Sequence, residues 1–457
     1  MAPEGPPRAV PAAPPIRWAV RVPGSKSLTN RALVLAAMAQ GESRIELGLR
    51  SSDTDALGAA LGALGAEVEV LGASYEPPLR HPGFLVRGVG GGFPAGPEAH
   101  LNLGDGGTPT RFMMAAAAFA RRRVTVDGSA RMRERPVADG VRLLRELGCL
   151  IEGSGPACHL PVVVDGRDGP PTGGSLRVGP LASSQFVSAL LLVAPWMRDG
   201  LEARFEEPPV SRSYIDLTID ELRRWGASVV EDVGADGELR SVRVAPGALA
   251  ARPSHFVEPD ASSALYWAAA AALVPGSDVV LDGLPVDSRQ PDARAILELG
   301  RHGAEVTGTH GDLRVCSRAD AGDRSPPLSA MRLDLGLCPD GALMLIAAAA
   351  VAEGPSRFGG LGTLRVKESN RLAAMAEGLR RIGAGVRVGD SWIEVDPIPH
   401  GHAVDATIDP HDDHRVAMSF AVLGLRTGGI RIENHGCVAK SYPEFWLALD
   451  RCATGAR

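Results

Sequence analysis

Two patterns of apolar and polar positions recur along the chain. The first reads Leu-x-x-apolar-Gly-Ala-x-Val. It occurs as Leu61–Val68 and Leu222–Val229, with variants at Leu144–Cys149, Leu299–Ala304 and Leu379–Ala384. Charge fills the intervening face, as in Arg142, Arg145, Arg223, Arg224, Arg380 and Arg381. This predicts the end of an amphipathic helix, a left-handed glycine stop and then a strand. The glycines 65, 148, 226, 303 and 383 lie roughly 80 residues apart.

The second pattern is a polar cluster that opens an Ala-rich segment, apolar nearly all round. The openings are Gly24-Ser-Lys-Ser27, Gly106-Gly-Thr108, Ser183-Ser-Gln185, Asp260-Ala-Ser-Ser263, Pro339-Asp-Gly341 and Asp413-His-Arg415. Helices without a polar face are buried. Their first turns carry free N–H groups and the positive dipole end, which suit anions. Both patterns keep the same period, which is too long for a solenoid. The expectation is six similar α/β modules, three per domain, in two similar domains with an active-site cleft between them. The plainer alternative is an ordinary α/β protein with a recurrent helix stop.

Composition narrows the functions. The chain has 457 residues, 45% of them hydrophobic, with a formal net charge of −6. Mean hydropathy is near zero, as in a water-soluble globular protein. No basic run interleaves with aromatics, which argues against nucleic acid. The longest apolar stretches, such as Ala264–Val274, reach about half a membrane span. Residues 1–16 are rich in Pro and Ala and lack a signal-peptide pattern, so a disordered tail is expected. The six cysteines form no C-x-x-C pair, which fits a reducing cytoplasm without structural disulfides or zinc.

Despite the acidic total, cations gather at the helix openings. They are Lys26, Arg31, Arg111, Arg131, Arg133, Arg135, Arg212, Arg365, Lys367, Arg371, Arg415 and Lys440. Only three of the 48 basic residues are lysine, and all three are in this set. An ammonium is not equivalent to a guanidinium, so these positions stand out. Asp340 and Glu368 sit among the cations as candidate acid or base groups. Ser25, Ser27, Ser183, Ser184, Gln185, Ser211 and Tyr214 could read hydroxyls or phosphate oxygens. The set fits a multiply anionic small molecule handled with acid–base chemistry. Gly24-Ser-Lys-Ser27 lacks the upstream glycine of a P-loop. Asp409-Pro-His-Asp-Asp-His414 could suggest a metal site, but no further ligand cluster is apparent, and no Gly-x-Ser-x-Gly elbow accompanies a serine nucleophile.

Eight stretches resemble one family. They are Pro23–Leu33, Leu103–Arg111, Arg131–Pro136, Leu181–Phe186, Val257–Ser263, Leu364–Arg371, Asp413–Met418 and Ala439–Pro443. In order and spacing they resemble the 5-enolpyruvylshikimate-3-phosphate synthases, from about residue 17 to 447. The resemblance implies an inside-out α/β barrel type of domain, with an N-terminal lobe over 26–257 on the shikimate 3-phosphate side. Residues 17–25 plus 258–457 would form the C-terminal lobe that completes the phosphoenolpyruvate site. It implies transfer of the enolpyruvyl group of phosphoenolpyruvate to the 5-hydroxyl of shikimate 3-phosphate, without metal or organic cofactor, by a cytoplasmic monomer. Asp340 would take the hydroxyl proton, Glu368 would protonate and deprotonate the methylene carbon, and Lys26 would contact both substrates. Lys26, Gly107, Arg131, Gln185, Arg371, Arg415 and Lys440 would hold phosphoenolpyruvate. Lys26, Ser27, Arg31, Ser183, Ser184, Gln185, Ser211, Tyr214, Asp340, Thr363 and Lys367 would hold shikimate 3-phosphate.

Four residues depart from the family pattern: Asp105 and Thr363 where Asn is common, Asn370 where Asp is common, and Phe112 where Pro is common. The related UDP-N-acetylglucosamine enolpyruvyl transferases carry a reactive Cys in a first-domain loop. The matching segment, Arg111–Arg133, has none. A non-catalytic anion-binding module would not need Asp340 and Glu368 among its cations.

Overall fold

The computed structural model describes residues 5–72, 82–155, 158–309, 311–323 and 325–454. The chain divides into two compact units, Gly24–Glu258 and Met1–Pro23 with Pro259–Arg457. Each has its own hydrophobic core.

One sheet shows the repeating module. Its strands run in the order Ala99–Asn102, Arg123–Asp127, His159–Asp165, Leu150–Ser154, the first pair parallel and the rest antiparallel. A parallel pair needs a crossover, here through helix Gly107–Ala117. Five four-stranded sheets among the described residues share this plan, one parallel pair followed by two antiparallel strands.

All six polar openings start helices: Lys26–Met38, Gly107–Ala117, Gln185–Val193, Ala261–Leu273, Ala342–Ala348 and His414–Thr427. Every residue of Ala261–Leu273 and of Ala342–Ala348 is buried, as their lack of a polar face predicts. In each unit the three such helices pack on one another. The sheets lie outside them, with strands such as His159–Asp165 alternating buried and half-buried positions. The five glycine stops all take positive φ, from 84° at Gly148 to 137° at Gly303, and four of the five follow helices with arginine in the last turn.

The expected disordered tail over 1–16 is corrected for its described residues, 5–16. Arg8–Val10 is a strand, antiparallel to Ile430–Ile432. It joins the sixth sheet, whose other strand, Ala406–Ile408, runs parallel to Ile430–Ile432. Arg17–Val20 pairs in parallel with Asp278–Asp282 and completes a second sheet. Likewise His255–Phe256, late in the Gly24–Glu258 unit, pairs with Gln40–Glu46 near its start.

One buried carboxylate–imidazole contact braces that unit. Glu221, in helix Arg212–Arg224, lies 2.6 Å from His255 Nε2, and Trp225 Nε1 donates to it at 3.1 Å. Burial opposes its charge. The bond and charge of His255, with Arg224 and Trp225, outweigh burial and hold the carboxyl below the usual range.

Candidate active site

In the unit containing Pro259–Arg457, one guanidinium organises the chemistry. Arg371 opens helix Arg371–Arg381, which Asn370 caps by accepting from Ala373 N at 3.2 Å. Arg371 is almost wholly buried. Its Nε donates to Asp413 Oδ2 at 2.7 Å and its Nη1 to Asp340 Oδ1 at 2.8 Å. Its Nη2 lies 2.8 Å from Glu368 Oε2. Three carboxylates thus surround one cation. Asp413 also caps helix His414–Thr427, accepting from Arg415 N at 3.0 Å.

Three more cations close the ring. Arg415 Nη2 stands 3.2 Å from Asp340 Oδ2, Lys367 Nζ 3.6 Å from Asp340 Oδ1, and Lys440 Nζ 3.7 Å from Glu368 Oε1. The structure therefore brings Asp340, Arg415 and Lys440, distant in sequence, to the Lys367–Arg371 motif that carries Lys367, Glu368 and Arg371. Burial disfavours the Asp340 carboxylate, but Arg415, Lys367 and Arg371 outweigh it and hold its carboxyl well below the usual range. For Arg371, burial works against the charge, and Asp413, Glu368 and Asp340 overcome it and raise its pKa. Thr363 lies in the turn Gly362–Val366, and its buried hydroxyl makes no hydrogen bond among the described residues.

In the Gly24–Glu258 unit, Lys26 begins its helix after the Ser25 cap and pairs with the buried Asp53 at 3.2 Å. Helices Gly107–Ala117 and Gln185–Val193 pack together, and their first turns are bonded to each other. Arg111 Nη1 donates to Gln185 Oε1 at 2.7 Å, and Gln185 Nε2 donates to Thr108 Oγ1 at 2.9 Å. Ser183 Oγ accepts from Gln185 N at 3.3 Å, and Ser184 is buried at the helix start. Gly107 makes room for guanidinium groups: a Cβ there would lie 2.6 Å from Arg135 Nη1 and 3.0 Å from Arg111 Nη1.

Arg135 is the residue that the motif reading passed over. Its side chain is buried, and its Nη1 donates to Met132 Sδ at 3.7 Å. Among the described residues it has no carboxylate within ion-pairing reach. Arg131, the residue expected to hold phosphoenolpyruvate, is exposed and pairs with Glu134 at 2.7 Å. The signal lay in Pro136. The residue before proline is steered to an extended backbone, here φ −78° and ψ 143°, which ends helix Ala130–Glu134 at Arg135.

Arg31 is buried, and its guanidinium donates to Thr218 Oγ1 and to the carbonyls of Ser27 and Tyr214 at 2.8–2.9 Å. Burial lowers its pKa to about 10 against the opposing effect of Glu221 and Tyr214. Ser211 starts helix Arg212–Arg224 with φ 48°, a left-handed conformation uncommon for a residue with a Cβ. Asp105 is exposed and accepts from Ser129 Oγ. Phe112 lies under the Arg31 guanidinium, 5.6 Å from its ring centre.

The chain resembles known proteins in sequence and in fold. The family model described as EPSP synthase (3-phosphoshikimate 1-carboxyvinyltransferase) matches residues 12–449. The chain belongs to that family. A 3-phosphoshikimate 1-carboxyvinyltransferase of Methanoculleus marisnigri is 38% identical, over 95% of this chain and 96% of its own. One from Ralstonia nicotianae is also 38% identical, with the same coverage. The EPSP synthase structure from Acinetobacter baumannii superposes with a TM-score of 0.77 at 26% identity, over 98% of both chains. The enolpyruvyl transferase NikO from Streptomyces tendae shares the fold at 18% identity, with a TM-score of 0.68 over 98% of both chains.

Proposed function

We propose that this enzyme transfers the enolpyruvyl group of phosphoenolpyruvate to the 5-hydroxyl of shikimate 3-phosphate and releases phosphate. The observation that carries the reading is the pair Asp340 and Glu368 held on one buried arginine amid Arg415, Lys367 and Lys440. Addition and elimination need two proton-transfer groups beside bound anions, and this cluster supplies both.

The hydroxyl oxygen bonds to carbon 2 of phosphoenolpyruvate while its proton passes to Asp340. Glu368 delivers a proton to carbon 3, giving a tetrahedral adduct. Glu368 then takes a proton back from carbon 3 as the bond from carbon 2 to the phosphate oxygen breaks. The alkene reforms and phosphate leaves with that electron pair. In the free enzyme the surrounding cations hold Asp340 too acidic to be a good base. Substrate phosphate and carboxylate groups that engage Arg371, Arg415 and Lys440 draw these charges away, so Asp340 becomes basic as the substrates arrive.

Lys26, Gly107, Gln185 and Arg135 serve phosphoenolpyruvate, with Arg135 taking the part expected of Arg131. Ser27, Ser183, Ser184, Ser211, Tyr214 and Lys367 serve shikimate 3-phosphate. Arg31 acts by holding the Ser27 and Tyr214 carbonyls. Thr363 is assigned to the same substrate on its family position alone. The enzyme works as a cytoplasmic monomer, as the family resemblance implies; its six cysteines are free, and no described helix is long and apolar enough to cross a membrane.

The test is phosphate release from phosphoenolpyruvate with shikimate 3-phosphate and, separately, with UDP-N-acetylglucosamine. Release is expected only with the first acceptor. No release with shikimate 3-phosphate overturns the reading. Asp340→Asn and Glu368→Gln should each lower kcat by about 100-fold or more while substrate binding persists.

A further inference from the structure

Asp292 is a buried carboxylate that the proton-transfer scheme leaves unused. It directly precedes helix Ala293–Arg301 and is 2% exposed. Its Oδ1 accepts from Gly341 N–H at 2.9 Å, and its Oδ2 accepts from Ser262 Oγ. Gly341 is the residue after Asp340. A Cβ there would lie 3.1 Å from Asp292 Oδ1, so the close approach depends on glycine. The two carboxylates also share one cation. Arg415 Nη1 stands 4.0 Å from Asp292 Oδ2, and Nη2 of the same guanidinium stands 3.2 Å from Asp340 Oδ2.

We infer that Asp292 is a positioning residue for Asp340: it pins the peptide that follows Asp340 and shares Arg415 with it, so that Asp340 keeps the place and the basicity its proton transfer needs. The inference rests on the role proposed above for Asp340. Two physical effects support it. A hydrogen bond to the Asp340–Gly341 peptide fixes the backbone from which the base projects, and misplacement by about 1 Å can cost about 100-fold in rate. A second negative charge on Arg415 also opposes the cations that make Asp340 a weak proton acceptor. Burial and then the Asp340 charge push the Asp292 carboxyl up to about 6.

Asp292→Asn keeps an oxygen for the Gly341 N–H and removes the charge; Asp292→Ala removes both. The expected result is kcat lowered about tenfold in the first and about 100-fold in the second, with KM for both substrates within about threefold of wild type. A folded Asp292→Asn enzyme with kcat within about twofold of wild type overturns the inference. So does a rise in KM with kcat unchanged, which would give Asp292 a binding role through Arg415. Asp340→Asn is measured beside it. Full turnover in that variant overturns the role of Asp340 and this inference with it. A crippled Asp340→Asn with an unaffected Asp292→Asn overturns this inference alone. Should Asp292→Asn fail to fold, Ser262→Ala carries the test. It frees the Asp292 side chain to swing from Gly341, and kcat should fall at least about threefold with KM unchanged, whereas wild-type kcat overturns the inference.

Discussion

Arg135 is a buried guanidinium whose position makes sense only with an anion beside it. Replacing it with methionine keeps a flexible unbranched side chain while removing the charge and the Nη1 contact with Met132. A bidentate arginine–phosphate contact comprises two charge-assisted hydrogen bonds, each worth about 1.5–3 kcal/mol. Losing both costs about 3–6 kcal/mol, which at about 1.4 kcal/mol per tenfold is a factor of roughly 100 or more in affinity. The same change removes a desolvated charge that has no counter-ion among the described residues, so the ligand-free protein should melt at the same temperature or higher. Phosphate-release kinetics at varied phosphoenolpyruvate and thermal melts in phosphate-free buffer read the two effects. Arg131→Ala, which breaks an exposed pair with Glu134, serves as the contrast and should change KM for phosphoenolpyruvate by less than about threefold. A wild-type KM in Arg135→Met, or a larger defect in Arg131→Ala than in Arg135→Met, would refute the argument.

Arg371→Met strands the carboxylates of Asp340, Glu368 and Asp413. It should cost about 3–5 kcal/mol in denaturant unfolding, and an unchanged midpoint would contradict the assigned pairing. Lys→Arg at 26, 367 and 440 should each lower kcat/KM about tenfold or more, because a planar fork cannot take the place of a compact ammonium. Wild-type kinetics in all three would make the lysine placement incidental. Glu221 has a depressed carboxyl pKa in the folded state. Its stabilising contribution is therefore complete above the ordinary glutamate value of about 4.3 and is lost as pH falls through the folded value. Glu221→Gln should melt lower than wild type at pH 7, and the gap should narrow in acid. A gap that is constant with pH would exclude the ionised pair with His255.

The repeated fold was legible because its signals are local. A helix that is apolar all round can only be interior, and Gly65, Gly148, Gly226, Gly303 and Gly383 punctuate the other helices at sites where φ must be positive. The cation set was legible as a set, because charge at the start of buried helices needs a ligand or a partner. Individual roles were less so. Arg131 and Arg135 are the same residue type in the same short motif, and only the turn imposed by Pro136 sends one into the interior. Asp292 and Asp413 look like ordinary helix caps in sequence. Asp413 does cap and also holds Arg371, whereas Asp292 makes no cap bond and stands beside Arg415, and both arginine contacts arise only through space. The strand Arg8–Val10 was hidden because it is three residues long and its partner begins at Ile430.

That strand and its neighbour Arg17–Val20 bear on how the protein is made. Both leave the ribosome first, yet their partners are Ile430–Ile432 and Asp278–Asp282. At about 5–20 residues per second, the gap between Arg8–Val10 and its partner is roughly 20–80 s. The Gly24–Glu258 unit lies wholly within that interval and can close its own sheets, since its late strand His255–Phe256 is made before translation reaches Asp278. The unit that carries Asp340 and Glu368 is thus the last to form, and its first two strands wait outside a folded neighbour. An affinity tag or truncation reaching into residues 8–20 would therefore act on the C-terminal half of the molecule, by depriving two of its sheets of an edge.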